Sequence, residues 1–409
     1  MTKKTNLQHL FSIPVIVAAL GYFVDIYDLL LFGIVRIPSL TSMGLNEEQL
    51  SVQGASILNW QMTGLLLGGI LWGVMGDKKG RLSVLFGSIL TYSLANIACG
   101  LVQTPEQYKI LRFIAGIGLA GELGAGITLV SEILPKRLRA IGTSLVAGVG
   151  LFGAVVAYFI AQYFDWRTSF FIGGGLGLSL LLLRFGVAES GMFGKTNNHH
   201  TNRGNFFSLF TNQDRFIKYL RCIIIGVPLW FVVGILITLS PEFGKVLGVQ
   251  GDVNAGAAVA CCYAGLVLGD IASGLLSQLL KSRIKVIYTY LFLSIISISA
   301  YFMLHDISLF AFYAICLFLG FSVGYWVIFM TIATEQFGTN IRATVTTTVP
   351  NFVRGAVVPL SILFQYLKGV FNGSMIHAGI AVATLSLVLA FWALHKMEET
   401  FTKDLDYLE

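Results

Sequence analysis

The sequence predicts an all-α membrane protein with twelve transmembrane helices, arranged as two six-helix bundles that repeat one another in parallel. Three observations carry this reading. Of 409 residues, 56% are hydrophobic and 12% charged, with mean hydropathy +0.78, whereas a soluble domain carries about 25% charged residues. Apolar runs recur along the whole chain, each long enough for the roughly 20 helical residues that cross a hydrocarbon core of about 30 Å. A loop motif that follows the fourth run returns after the tenth.

Taken in order, the first span covers 11–33 and includes GYFVDIYDLLLF, although Asp25 and Asp28 lie inside it. Its short basic start, Lys3 and Lys4, is not followed by a small-residue cleavage site, and embedded acids do not suit a signal core. Spans at 51–76, 82–102, 106–134, 138–163 and 166–187 complete a first bundle, 1–187. The stretch 188–215, with GKTNNHHTNRGN at its centre, reads as a linker. A second bundle and its tail, 216–409, hold spans at 216–244, 251–280, 284–304, 307–334, 341–367 and 374–396.

The net charge of +6 is topological rather than a nucleic-acid footprint. Of 27 Lys and Arg, 20 fall at the N-terminus, in alternate loops and in the tail; five, Arg36, Lys109, Arg167, Lys245 and Lys368, fall in the intervening loops. That asymmetry predicts a multi-pass protein of the plasma membrane, the inner membrane in bacteria, with both termini cytoplasmic. Arg112 and Arg354 are the two left inside spans. All five cysteines, Cys99, Cys222, Cys261, Cys262 and Cys316, lie within expected helices and read as packing residues, not a disulfide framework or metal site. No cofactor is expected, and no His/Cys/Glu cluster has metal spacing, which disfavours a membrane-embedded enzyme.

The internal repeat comes next. SEILPKRLRAIGTS at 131–144 lies over TEQFGTNIRATVTT at 334–347, with Glu132 on Glu335, Arg139 on Arg342, Ala140 on Ala343 and Thr143 on Thr346. GVMGDKKGRLSV, after span two, has a weaker echo in GLLSQLLKSRIKV, after span eight. Parallel repeats of six spans imply two bundles rocking about a central site.

The run Gly73, Gly76, Asp77, Lys78, Lys79, Gly80, Arg81 resembles the G-x-x-x-D-R/K-x-G-R signature between spans two and three of the major facilitator superfamily. Gly80 permits a tight turn, and Asp77 at a helix end suits the amides of a neighbouring helix. With the repeat, Gly73, Asp77, Gly80, Arg81, Glu132, Arg139, Glu335 and Arg342 form an expected conformational latch. DIYD in span one is similar to the acid-x-Tyr-Asp of metabolite:proton and phosphate:proton symporters. RFIAGIGLAGELGAGITLVSE at 112–132 resembles span four of the metabolite:proton group, with Ala120 where a glycine is usual. AESGMF and EETFTKDL are similar to weakened sugar-porter segments that lack their prolines.

Buried charge suggests the chemistry. By helix rise, Asp28 and Arg112 each lie about 8 Å from the outer ends of their expected spans. They are expected to form a pair that opens when Asp28 takes up a proton, the alternative being a static structural pair. Asp25 and Arg354 share a similar depth in different halves. Arg354, between Pro350 and Pro359, has a planar fork that suits a carboxylate or phosphate and is the expected anion anchor, the alternative being a pair with Asp25 or Asp270. Glu122 is either a second proton carrier or a cross-helix hydrogen-bonding group. Asn59, Gln61, Trp230, Tyr325, Trp326 and Asn351 fall in spans that line the cavity in the resembled superfamily.

The resemblance implies a secondary carrier. Span five lacks the Gly-Pro motif of drug:proton antiporters, so the expectation is a monomeric proton-coupled symporter in the lipid bilayer importing a small anionic metabolite, such as an organic acid or phosphate-like solute. An amino acid, betaine or sugar symporter, or an efflux antiporter, is the alternative, and sodium is left open as coupling ion.

Overall fold

A backbone that crosses hydrocarbon must satisfy its amides internally, so long apolar runs become helices. The computed structural model, which describes residues 10–79, 81–134, 138–189, 206–338 and 341–401, is helical through each expected run. Eleven of its helices are long and apolar enough to cross a membrane, and Ser83–Cys99 is a shorter apolar helix at the remaining position. In chain order the first half has α1 Ile13–Ser42, α2 Glu47–Lys79, α3 Arg81–Cys99, α4 in two pieces (Pro105–Leu119, Glu122–Ile133), α5 likewise (Arg139–Leu151, Gly153–Tyr163) and α6 Trp166–Glu189. The second half has α7 (Gln213–Ile224, Val227–Phe231, then a π-helical Val232–Ile237), α8 Ala255–Leu280 and α9 Arg283–Met303. It closes with α10 (Leu309–Ser322, Trp326–Glu335), α11 (Arg342–Gly355, Val357–Val370) and α12 Met375–His395.

Local chemistry fixes the ends. Thr104, Asn212, Asn254, Ser282, Ser308 and Ser374 each accept a backbone amide in the first turn of the helix that follows, which satisfies donors the helix cannot. Gly44, at φ +85°, makes the turn between α1 and α2, a conformation open to glycine without strain. The expected boundaries shift most at α1, which runs to Ser42 instead of ending at 33. Arg36 does not terminate it, because its charge is buried and paired with Glu242.

The repeat is visible in packing as well as sequence. Gly64, Gly68 and Gly116 let α2 and α4 cross with backbones almost touching, and Gly265, Gly269 and Gly320 do the same for α8 and α10. A Cβ on Gly324 would stand 2.5 Å from the Gly269 Cα. Small residues at such crossings are how membrane helices approach closely.

The halves meet at both membrane faces. At the face bearing the α2–α3 turn, here the basic face, a Cβ on Gly73 would stand 3.5 Å from Thr348 of α11. At the opposite face Arg36 pairs with Glu242 at 2.7 Å and Lys245 with Glu47 at 3.1 Å. Contacts between the halves thus form at both faces.

Most of the expected latch lies outside the described residues: Gly80, and the side chains of Asp77, Arg81, Glu132, Arg139 and Arg342. So does 190–205, the bulk of the expected linker. Glu335 is described, and its contacts include the chain after α12 and the start of α9. It accepts from Thr400 at 2.6 Å and pairs with Arg283 at 3.4 Å, while Glu399 accepts from Ser282 and from the amides of Arg283 and Ile284. The chain after α12 is thus pinned to the α8–α9 turn. Burial opposes ionisation of Glu399, but those hydrogen bonds outweigh it and hold its carboxyl below the usual range. Its contribution to the docked tail is present at neutral pH and lost as pH falls through that lowered value.

Candidate functional site

Two charged side chains, one from each half, meet where the halves come together. Asp25 of α1 and Arg354 of α11 are 0% and 1% exposed, and Arg354 Nη2 donates to Asp25 Oδ2 at 3.4 Å. This joins the two halves by an ion pair. The contact is long and single, and Asp25 Oδ1 and Arg354 Nε and Nη1 have no partner. The guanidinium lies 5.8 Å from the centroid of the Trp326 ring, within cation–π range. Tyr22 and Tyr263 lie near enough to Arg354 to interact with it electrostatically.

Arg354 stands here because α11 is interrupted beside it. Pro350 and Pro359 each remove a backbone donor, and the helix breaks at Ala356 between Gly355 and Val357. Trp326 is placed by a second interruption. After Ser322 the chain leaves the helix, and α10 restarts at Trp326. Asp270 of α8 accepts from the Val327 amide at 3.1 Å, so a carboxylate from a neighbouring helix caps the restart. The π-helical turn of α7 packs nearby through Gly234 against Val357, and such turns are frequent at functional sites.

The second pair of expected groups is arranged otherwise than as an ion pair. Arg112 donates from Nε to Gln61 at 3.2 Å, from Nη1 to Asn96 at 2.7 Å and from Nη2 to the backbone carbonyl of Asp28 at 2.9 Å. Its face lies over Phe170. The Asp28 carboxyl is 0% exposed, and neither oxygen has a hydrogen-bond partner. Arg112 is thus held beside Asp28 by neutral amides and bonds its main chain instead of its side chain. The depth estimate brought the residues together; the carbonyl, a nearer acceptor, takes the guanidinium.

Glu122 has found a partner that the sequence reading missed. Arg184 of α6, counted there among the loop charges, is 4% exposed and forks onto Glu122 at 2.9 and 2.7 Å, with Ser88 donating at 2.8 Å. Of the two readings of Glu122, the cross-helix hydrogen-bonding group is the one this geometry fits. Removing one member of a buried pair costs about 3–5 kcal/mol because the other charge is stranded. Arg184→Leu is accordingly expected to lower the Tm in detergent by several degrees, and Arg184→Leu with Glu122→Leu to recover most of the loss. An unchanged Tm in the single variant would contradict a structural pair.

The expected lining residues divide. Trp326 faces Arg354, and the indole nitrogens of Trp326 and Trp230 are buried without partners. Asn351 spans the halves, donating to the Ala120 carbonyl at the break in α4 at 2.8 Å. Asn59 donates across to Ser361 at 3.4 Å. Gln61 is drawn inward, bonded to Arg112 and to the Leu29 carbonyl, and the Tyr325 hydroxyl is tied to the Ile225 carbonyl; both are held inside one half. Among the described residues no group of His, Cys, Asp and Glu converges as a metal site, and the five cysteines are unpaired.

Charged and polar groups buried where two repeated helical halves meet are the architecture of an alternating carrier. Residues 18–362 match the sequence profile of the Major Facilitator Superfamily. The chain belongs to that superfamily. It is 36% identical over 177 residues to a putative metabolite transport protein of Haemophilus influenzae, covering 42% of each chain. It is 30% identical over 178 residues to the niacin transporter NiaP of Acinetobacter baylyi, covering 42% of this chain and 40% of that one. The chain thus aligns with about two fifths of the length of these relatives. A longer alignment, 25% identical over 346 residues, joins it to a probable 4-methylmuconolactone transporter of Cupriavidus pinatubonensis, covering 79% of this chain and 76% of that one. The solved structure of the proton:xylose symporter XylE bound to 6-bromo-6-deoxy-D-glucose superposes with a TM-score of 0.74 over 98% of both chains, at 16% identity. Family and relatives alike are transporters, not enzymes.

Proposed function

We propose that the protein is a proton-coupled symporter that imports a small organic acid by alternating access. The observation that carries the reading is Arg354: a guanidinium buried between the halves, with two unpartnered nitrogens and an indole face beside it. Such a group binds a carboxylate bidentately, and the neighbouring aromatics suit an unsaturated or aromatic body. Relatives named for the transport of benzoate, 4-hydroxybenzoate, gentisate and cis,cis-muconate support that substrate class.

In this reading Asp25 occupies Arg354 when substrate is absent, and the substrate carboxylate takes its place. Asp28 carries the coupled proton. An ionised carboxylate with neither oxygen paired is costly in a dry site, and a proton removes that charge. When the proton leaves, Arg112 is close enough to turn from the Asp28 carbonyl to its carboxylate. The asymmetry of basic residues supports a cytoplasmic α2–α3 face, and the bacterial relatives support the inner membrane.

Uptake by cells or proteoliposomes of benzoate, 4-hydroxybenzoate, gentisate, muconate, nicotinate, phosphate, glycine betaine and xylose tests the class. Saturable uptake of one or more organic acids, stimulated by a proton gradient, is expected. Transport of xylose or betaine with no organic acid moved would overturn it.

A further inference from the structure

The ion pair at the face opposite the basic loops is only half made. Arg36 of α1 is 1% exposed. Its Nη2 alone donates, to both oxygens of Glu242 at 2.7 and 2.9 Å and to the Thr238 carbonyl at 3.3 Å. Nε and Nη1 are buried without partners, which leaves two donors desolvated with no bond to offset the loss of water. A gate held by one salt bridge does not need those two donors idle. The sequence also leaves room for them: Gly54 of α2 faces the arginine, and a Cβ there would stand 2.6 Å from Cδ and 3.2 Å from Nη1.

Arg36 lines a pocket between α1, α2, α7 and α11 whose other polar members are Thr238, Ser361 and Gln365, with Leu58 and Phe364 as apolar wall. It is distinct from the mid-membrane pair, since Arg36 lies eleven residues along α1 from Asp25, about 16 Å by helix rise. Glu242 differs from Arg36 in exposure: it is 23% accessible, so it can swing into water while the arginine stays.

We propose that Arg36 is a vestibule subsite for the carboxylate of the transported anion, with Glu242 as the internal competitor that the anion displaces. The proposal rests on the organic-acid reading above. With the pair closed the pocket is only water-sized, so the anion takes the place of Glu242 instead of filling a preformed cavity. One carboxylate replaces another, and the guanidinium stays neutralised throughout. The exchange also cuts the tie between α1 and the short helix Ser240–Val246 that follows α7. The other bridge at this face among the described residues, Lys245 to Glu47, is 66% and 85% exposed, so solvent screens it and it holds the face only weakly. Arrival of the anion thereby loosens the face through which it enters, which a neutral solute would not do.

The test is a difference of sign. Initial uptake rates are measured with whichever of benzoate, 4-hydroxybenzoate, muconate and nicotinate the wild-type protein moves fastest. Glu242→Gln removes the competitor and is expected to lower KM severalfold. Arg36→Gln removes the subsite and is expected to raise KM tenfold or more, with Arg36→Lys between it and wild type. The double variant should behave as Arg36→Gln. If the pair is only a structural tie, the two single variants lose the same contact and shift KM in the same direction, which overturns the proposal. Should Arg36→Gln fail to reach the membrane, Glu242→Gln decides alone, a KM unchanged or raised counting against it. If no carboxylate in the panel is taken up, the organic-acid reading falls first and this subsite with it; if Arg354→Gln abolishes uptake while the two KM shifts agree in sign, only the subsite falls.

Discussion

Arg354→Gln is expected to abolish uptake of the organic acid while the protein still folds and inserts. Removing one partner of a buried, hydrogen-bonded charge pair costs about 2–5 kcal/mol, which is roughly 30-fold to several thousandfold in affinity. The effect has two parts. Glutamine cannot offer the substrate a forked cation, and the inter-half contact to Asp25 at 3.4 Å disappears, leaving that carboxylate unpaired. Arg354→Lys restores charge without the fork and should recover only part of the affinity. Binding measured by titration in detergent separates affinity from turnover. Wild-type affinity in Arg354→Gln would reassign the arginine to structure.

Asp28→Asn is expected to separate exchange from accumulation. The amide has the shape of the protonated acid, so the loaded carrier still cycles and swaps internal for external substrate. It cannot release a proton, so the empty carrier does not reset by the coupled route and uphill uptake is lost. Gly173 supplies an independent handle, because a Cβ there would stand 2.3 Å from Asp28 Oδ1 while one on Gly175 would touch nothing within 4 Å. Gly173→Ala should slow net uptake and Gly175→Ala should not. Asp25→Asn, by contrast, frees Arg354 of its resident carboxylate and should change substrate affinity. If Asp25→Asn uncouples transport and Asp28→Asn still concentrates substrate, the two roles are exchanged.

Much of this architecture was legible in the sequence because the membrane makes its demands in one dimension. Hydrophobic run length gives the spans, and the motif shared by 131–144 and 334–347 gives the two halves. Depth counting placed Asp25 opposite Arg354, and they do meet. The same counting brought Asp28 and Arg112 together but not as an ion pair, since it says how deep a side chain lies and not which of several acceptors it selects. Arg184 was missed because a charge near a span end reads as a loop charge; only packing shows it turned inward onto Glu122. Arg36 was misread for the same reason. The breaks beside Ala356 and before Trp326 differ in legibility: Pro350, Gly355 and Pro359 announce the first, whereas the second depends on Asp270 arriving from another helix.

Proton movement driven by substrate tests the central claim most directly. In proteoliposomes loaded with a pH-sensitive dye and held without an imposed gradient or potential, adding the transported organic acid at neutral pH should acidify the lumen in step with its uptake. A transported acid that stays ionised at that pH, such as gentisate or muconate, keeps passive diffusion of the neutral form small. Arg354→Gln should abolish both signals, and Asp28→Asn should abolish acidification while labelled exchange persists. Saturable uptake with no change in luminal pH in the wild-type protein, or acidification undiminished in Asp28→Asn, would contradict the account.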